Sequence, residues 1–148
     1  MPGEAGGGEM GSERIIADTN LFLRLLTDDV PDQVDLFIEL LNKAAKGEFQ
    51  FVINPMVIAE IVWTLESYYH LPKSRIQSQI LAILNTPGLD VMDSDLVLQA
   101  IHWYLEKNVD FIDAFNAAWM QQQGITSVYT FDQMHFKRFE GIRTMMPG

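Results

Sequence analysis

Four short apolar runs, each closed by Asp or Asn and each followed by a helix-like segment, set the strongest limit on how this chain can fold. They are Arg14 to Ala17 ending at Asp18, Phe49 to Ile53 ending at Asn54, Leu89 to Met92 ending at Asp93, and Ser127 to Phe131 ending at Asp132. Runs of this length that are apolar almost throughout fit strands buried on both faces, and their alternation with helices fits a mainly parallel sheet. Between them, helices are predicted over Thr19 to Thr27, from Pro31 toward Lys46 with Gly47 as stop, and from Pro55 to Tyr69 with Asn54 as N-cap. Others open at Pro72, at Asp93 or Ser94, and at Phe111, this last one stopped by Gly124. A short helix from Gln133 to Phe139 and an edge strand from Ile142 to Met145 close the chain. The fold class is α/β, a three-layer α/β/α domain.

The 148 residues allow one domain, occupying residues 14–146 behind a Gly- and Glu-rich tail at residues 1–13 that reads as disordered. The chain has no cysteine, which removes disulfides, thiolate metal sites and cysteine nucleophiles. With no apolar run of membrane-spanning length and no signal-peptide pattern, it is expected to be cytoplasmic, without a membrane partner. Its net charge of −10 argues against a general basic coat for nucleic acid. There is no Walker-type phosphate loop, no G-x-S-x-G elbow and no H-E-x-x-H.

In open parallel sheets, sites form outside the carboxyl ends of the strands, so Asp18 and Asp132 are expected at one edge. Either could also serve as a helix cap. Glu60 is the single charge in Pro55 to Leu65, amid Val57, Ile58, Ile61, Val62 and Trp63. A helix apolar all round is buried, and a buried carboxylate must be paired, hydrogen-bonded or metal-bound. Asp110 and Asp113 open an apolar helix at capping-box spacing, with Asp110 the structural member and Asp113 the functional one. If Asp18, Glu60, Asp113 and Asp132 converge, their repulsion calls for a hard divalent cation, and an all-oxygen donor set selects Mg²⁺ or Mn²⁺. Such ions catalyse phosphodiester cleavage through an activated water.

The segments I-I-A-D-T-N (Ile15 to Asn20), N-P-x-V-I-A-E-I-V-W-x-L (Asn54 to Leu65), D-F-I-D-A-F-N-A-A (Asp110 to Ala118) and V-Y-T-F-D (Val128 to Asp132) together resemble the PIN-domain family, in particular the small VapC-like toxins of prokaryotic toxin–antitoxin pairs. The resemblance implies a PIN-like fold and a metal-dependent endoribonuclease. Asp18, Glu60, Asp113 and Asp132 match the acidic quartet that binds Mg²⁺ or Mn²⁺ and catalyses the reaction. Asn20 and Thr130 match supporting polar positions. It further implies an RNA substrate, a homodimer and a cognate antitoxin inserted in the groove.

The remaining residues leave alternatives open. Trp63, Trp103 and Trp119 fit core or dimer packing better than base stacking. His70 and His102 have no partner at metal-ligand spacing. Lys137 and Arg138, with His135 nearby, offer either a phosphate-contacting edge or a solvated surface. A non-catalytic binding or assembly module on the same scaffold competes with the nuclease. An aspartate-nucleophile phosphatase is disfavoured because Asn20 stands where D-x-D needs an acid. The three tail glutamates and the four site acids account for −7 of the charge, leaving −3 for everything else.

Overall fold

The computed structural model describes residues 13–28 and 30–148. Of the expected tail, residues 1–12 therefore lie outside the described residues, while Glu13 already belongs to the first strand. In chain order the elements are β1 (Glu13–Ile16), α1 (Thr19–Thr27), α2 (Pro31–Ala45), β2 (Phe49–Ile53), α3 (Pro55–Ser67), α4 (Lys73–Leu84), β3 (Leu89–Val91), α5 (Ser94–Glu106), α6 (Phe111–Gln123), β4 (Ser127–Tyr129), α7 (Gln133–Phe136) and β5 (Arg143–Met145). They build a three-layer α/β/α domain in which every strand pairing is parallel. The strands form two groups, β1-β2-β3 and β4-β5. Ile15 faces Phe51 and Ile16 faces Val52, while Val52 faces Asp90 and Ile53 faces Val91. All four residues of β1 are exposed, Ile16 to 63%, which corrects the expectation that all strands are covered on both faces.

Local chemistry accounts for the element boundaries. Asn54 caps α3, its Oδ1 accepting from the Val57 amide at 3.0 Å, and Pro55 occupies the first turn, where a missing N–H costs nothing. Gly124 ends α6 in the left-handed conformation, with φ of 74°. Gly88, with φ of 88°, has a second constraint: a Cβ there would stand 2.6 Å from the Ala44 carbonyl carbon, where the end of α2 passes the turn into β3.

The core draws on every layer. Phe22 of α1, Phe37 of α2 and Phe51 of β2 stack edge to face, with centroid separations of 5.3 and 5.8 Å. Ile58, Ile61 and Leu65 of α3 and Ile76 and Ile80 of α4 are fully buried. α3 is nonetheless not buried all round. Met56, Glu60, Trp63 and Ser67 form an exposed stripe, with Met56 79% and Trp63 65% exposed, so the expected burial of Glu60 is corrected. The residue types along this stripe satisfy the apolar pattern whether or not anything covers them.

The largest fully buried side chain is Tyr104 of α5. Its hydroxyl donates to Glu66 Oε2 at 2.6 Å, and Lys73 Nζ lies 4.1 Å from its ring centroid. Lys73 also donates to the carbonyls of Tyr104 (3.3 Å) and Val109 (2.7 Å). Burial, then the bond to Glu66 and its charge, pushes the Tyr104 phenol far above its usual 10. Burial lowers the Lys73 ammonium below its usual 10.5, against the pull of Glu66 and Asp110.

Two outcomes follow for stability. Gly88→Ala should cost about 2–4 kcal/mol, from overpacking plus left-handed strain, and Gly124→Ala, with open space around it, only about 1–2 kcal/mol. Urea unfolding reads the difference, and equal costs would contradict the close packing at Gly88. Tyr104 is favoured as the protonated phenol in the folded state, so its contribution is complete below about pH 10 and is lost as pH rises beyond. Lys73 acts in the opposite sense, but it is common to wild type and Tyr104→Phe. The stability advantage of wild type over Tyr104→Phe should therefore shrink from pH 8 to pH 11, and a constant gap would contradict the buried phenol.

Candidate metal centre

The packing of α1 against α3 brings the residue after Asp18, Thr19, to Glu60. Asp18 precedes α1 in extended conformation and is exposed, and its side chain makes no capping bond, so its carboxylate is open to solvent. The next residue, Thr19, is buried and donates its hydroxyl to Glu60 Oε1 at 2.5 Å. The hydroxyl that reaches a site carboxylate thus comes from Thr19, not from the adjacent exposed Asn20. Sequence reading missed Thr19. Its signal was its place between Asp18 and a helix whose Phe22 and Leu23 point inward, which turns position 19 inward as well.

A second group assembles at the start of α6. Asp110 is the N-cap residue, but its side chain makes no cap bond, so the expected capping box with Asp113 is not formed. Both carboxylates turn instead toward His135 of α7. His135 Nδ1 lies 2.9 Å from Asp113 Oδ2 and 3.7 Å from Asp110 Oδ2. Asp113 is part-buried, its side chain 26% exposed, whereas that of Asp110 is 67% exposed. One ligand atom from each of Asp110, Asp113 and His135 lies within 4.8 Å of the other two, a spacing a metal ion could use. Sequence reading placed His135 on a surface edge. Only the turn of the chain after Asp132 brings it to Asp113.

Asp132 caps α7, its Oδ1 accepting from the Met134 amide at 3.2 Å. Thr130 fixes the approach, because its hydroxyl oxygen accepts from the Asp132 amide at 3.0 Å. The structure therefore holds the four acids in separate settings: Asp18 beside the Thr19–Glu60 bond, Asp113 on His135, and Asp132 as a cap. Among the described residues, no lysine or arginine forms an ion pair with any of the four.

The two expected phosphate contacts part company. Lys137 and Arg138 are both exposed. Arg138 Nη1 donates to the Lys107 carbonyl at 2.9 Å and to the Asn108 carbonyl, so its guanidinium is already engaged by backbone.

An apolar groove lies between α3 and α6. Pro55, Met56, Ala59, Phe111, Ile112 and Phe115 line a cavity of about 240 Å³ there. Ile112 is 61% exposed at its rim.

Comparison with known proteins gives these features a family. A VapC ribonuclease of Aquifex aeolicus (strain VF5) is 28% identical over 134 residues, covering 89% of this chain and 96% of that protein. Among solved structures, VapBC2 from Rickettsia felis bound to a DNA fragment from its promoter is 16% identical, with a TM-score of 0.41, covering 91% of this chain and 99% of that one. VapC20 of Mycobacterium tuberculosis, a toxin that cleaves the sarcin–ricin loop, is 18% identical, with a TM-score of 0.31, covering 84% and 94%. The PIN-domain profile matches residues 15–142. The chain belongs to the PIN-domain family and is VapC-like.

Proposed function

We propose that this protein is a metal-dependent endoribonuclease, the toxin of a toxin–antitoxin pair, in which Asp18, Glu60, Asp113 and Asp132 hold Mg²⁺ or Mn²⁺. The observation that carries the reading is that carboxylates from four elements lack a lysine or arginine counter-ion among the described residues while each keeps an oxygen free. Glu60 Oε1 is taken by Thr19 and Asp113 Oδ2 by His135, which leaves Oε2 and Oδ1. Asp132 Oδ1 caps α7, which leaves Oδ2, and Asp18 has both oxygens. Oxygen donors of this kind fit a hard cation. His135 is then the neighbour that orients Asp113, in the way outer partners orient metal-bound carboxylates. The relationship to the Aquifex aeolicus VapC ribonuclease supports the same reading.

When bound, the ion supplies an activated water and a Lewis acid for the phosphate oxygens. The chain's own contribution is placement. Thr19 holds Glu60 against the start of α1, next in the chain to Asp18. Thr130 and the α7 cap hold Asp132. The exposed stripe of Met56 and Trp63 and the apolar groove toward Ile112 offer a second copy of the chain, or an antitoxin segment, a docking surface, and Trp63 lines one pocket with Asp113. A cytoplasmic setting suits the absence of cysteine, and no described helix is long and apolar enough to cross a membrane.

A non-catalytic assembly module on the same scaffold is favoured by one observation, that exposed apolar face. One experiment separates the two. The protein is incubated with structured RNA and Mg²⁺ or Mn²⁺, beside Asp18→Asn and Asp113→Asn. Loss of a metal ligand forfeits several kcal/mol of transition-state stabilisation, so each variant should lose activity about 10³-fold, and chelator should abolish it. Cleavage that persists in both variants or with chelator would overturn the nuclease. Partner binding unaffected by removing all four carboxylates, without cleavage, would establish the module.

A further inference from the structure

We propose that Arg138 is a positioning residue for the site, tying the segment that carries Asp132 and His135 to the turn that presents Asp110 and Asp113. The inference rests on the nuclease reading only for its catalytic consequence. α5 ends at Glu106, and Asn108 breaks it in the left-handed conformation, with φ of 52°. The last carbonyls of a helix have no partner within it. Here two cations from different elements bind carbonyls of the last turn and of the residues just past it. Lys73 of α4 donates to the carbonyls of Tyr104 and Val109, and Arg138 donates to those of Lys107 and Asn108. Val109 and Asp110 follow directly, and α6 begins at Phe111. The turn that fixes where Asp110 and Asp113 stand is thus gripped from both sides.

The position of Arg138 gives this grip its meaning. His135 and Arg138 are three residues apart, the spacing that puts two side chains on one face of a helical turn. From that face, His135 reaches Asp113 at 2.9 Å while Arg138 reaches the backbone just ahead of Asp110. The two contacts together hold the Asp132 segment against the start of α6. A guanidinium donates in a fixed planar fork, so it sets direction as well as distance. Because Arg138 is exposed, water competes for its donors, and its removal should loosen the turn without unfolding the protein.

The test compares wild type with Arg138→Met and with Arg75→Met, which removes the same charge from the exposed face of α4. Three quantities are read: amide hydrogen exchange in peptides spanning residues 108–114, kcat and KM on an RNA oligonucleotide with Mn²⁺, and the salt dependence of binding to that oligonucleotide. For Arg138→Met, exchange in the turn should accelerate at least tenfold and kcat should fall at least tenfold. KM should stay within twofold, and the salt slope should be unchanged. Arg75→Met should match wild type in turn exchange and kcat. Unchanged exchange in Arg138→Met would overturn the proposal. So would a salt slope smaller by about one with kcat intact, since that marks a lost phosphate contact. If wild type cleaves no RNA, the nuclease reading fails by itself. The exchange measurement then still decides the tether, supporting it if the turn loosens and overturning it if not.

Discussion

The buried ring of Tyr104, with the Lys73 ammonium 4.1 Å above it, is the contact on which the arrangement of the site depends. Four parts of the chain meet there: Glu66 of α3 takes the phenol hydroxyl, Lys73 comes from α4, Tyr104 from α5, and Val109 from the turn into α6. A cation drawn partly out of water is costly unless its donors are satisfied. Lys73 meets that requirement with two carbonyls and an aromatic face, and in doing so fixes the turn that leads to Asp110. Removing one partner would leave another buried polar group without its bond, which costs more than the bond itself contributes. The acids at the start of α6 thus inherit their positions from this polar cluster.

The other half of the site depends on a simpler device. Thr19 is buried because the helix after Asp18 turns Phe22 into the core, and its hydroxyl then has one outlet, Glu60. This explains how a carboxylate can sit on the most apolar helix of the chain without a counter-ion. Glu60 is not sealed inside. It lies on an exposed stripe with Met56 and Trp63, and burial bears on its partner more than on itself. The net charge of −10 takes on a different sense in this light, because the four acids proposed to share a cation contribute −4 of it.

Much of the scaffold was legible in the sequence because its signals are local. Asn54-Pro55 reads as a cap followed by a first-turn proline, and Asn54 Oδ1 does accept from the Val57 amide. Gly124 reads as a stop and adopts the left-handed conformation. The first and fourth strands were legible for the same reason, but they end at Ile16 and Tyr129, short of Asp18 and Asp132. What was not legible depends on contacts between distant segments. The periodicity of α3 is the same whether the Met56–Glu60–Trp63 stripe is covered or open, so burial of Glu60 was the wrong inference. The division of the strands into β1-β2-β3 and β4-β5 rests on pairing that no single strand encodes. Capping-box spacing at Asp110 and Asp113 was present in the chain, but His135 competes for both carboxylates and draws them away from the helix amides.

Under the proposed function, carboxylates from the two halves of this site share a divalent cation. The most direct measurement is a crystal structure with millimolar Mn²⁺, in which anomalous scattering locates the ion. Manganese should be ligated by oxygens of Asp18 and Asp113, with Glu60 and Asp132 in its coordination sphere directly or through water. An ion bound only by Asp110, Asp113 and His135, away from Asp18, or no ion in the site at saturating Mn²⁺, would contradict it.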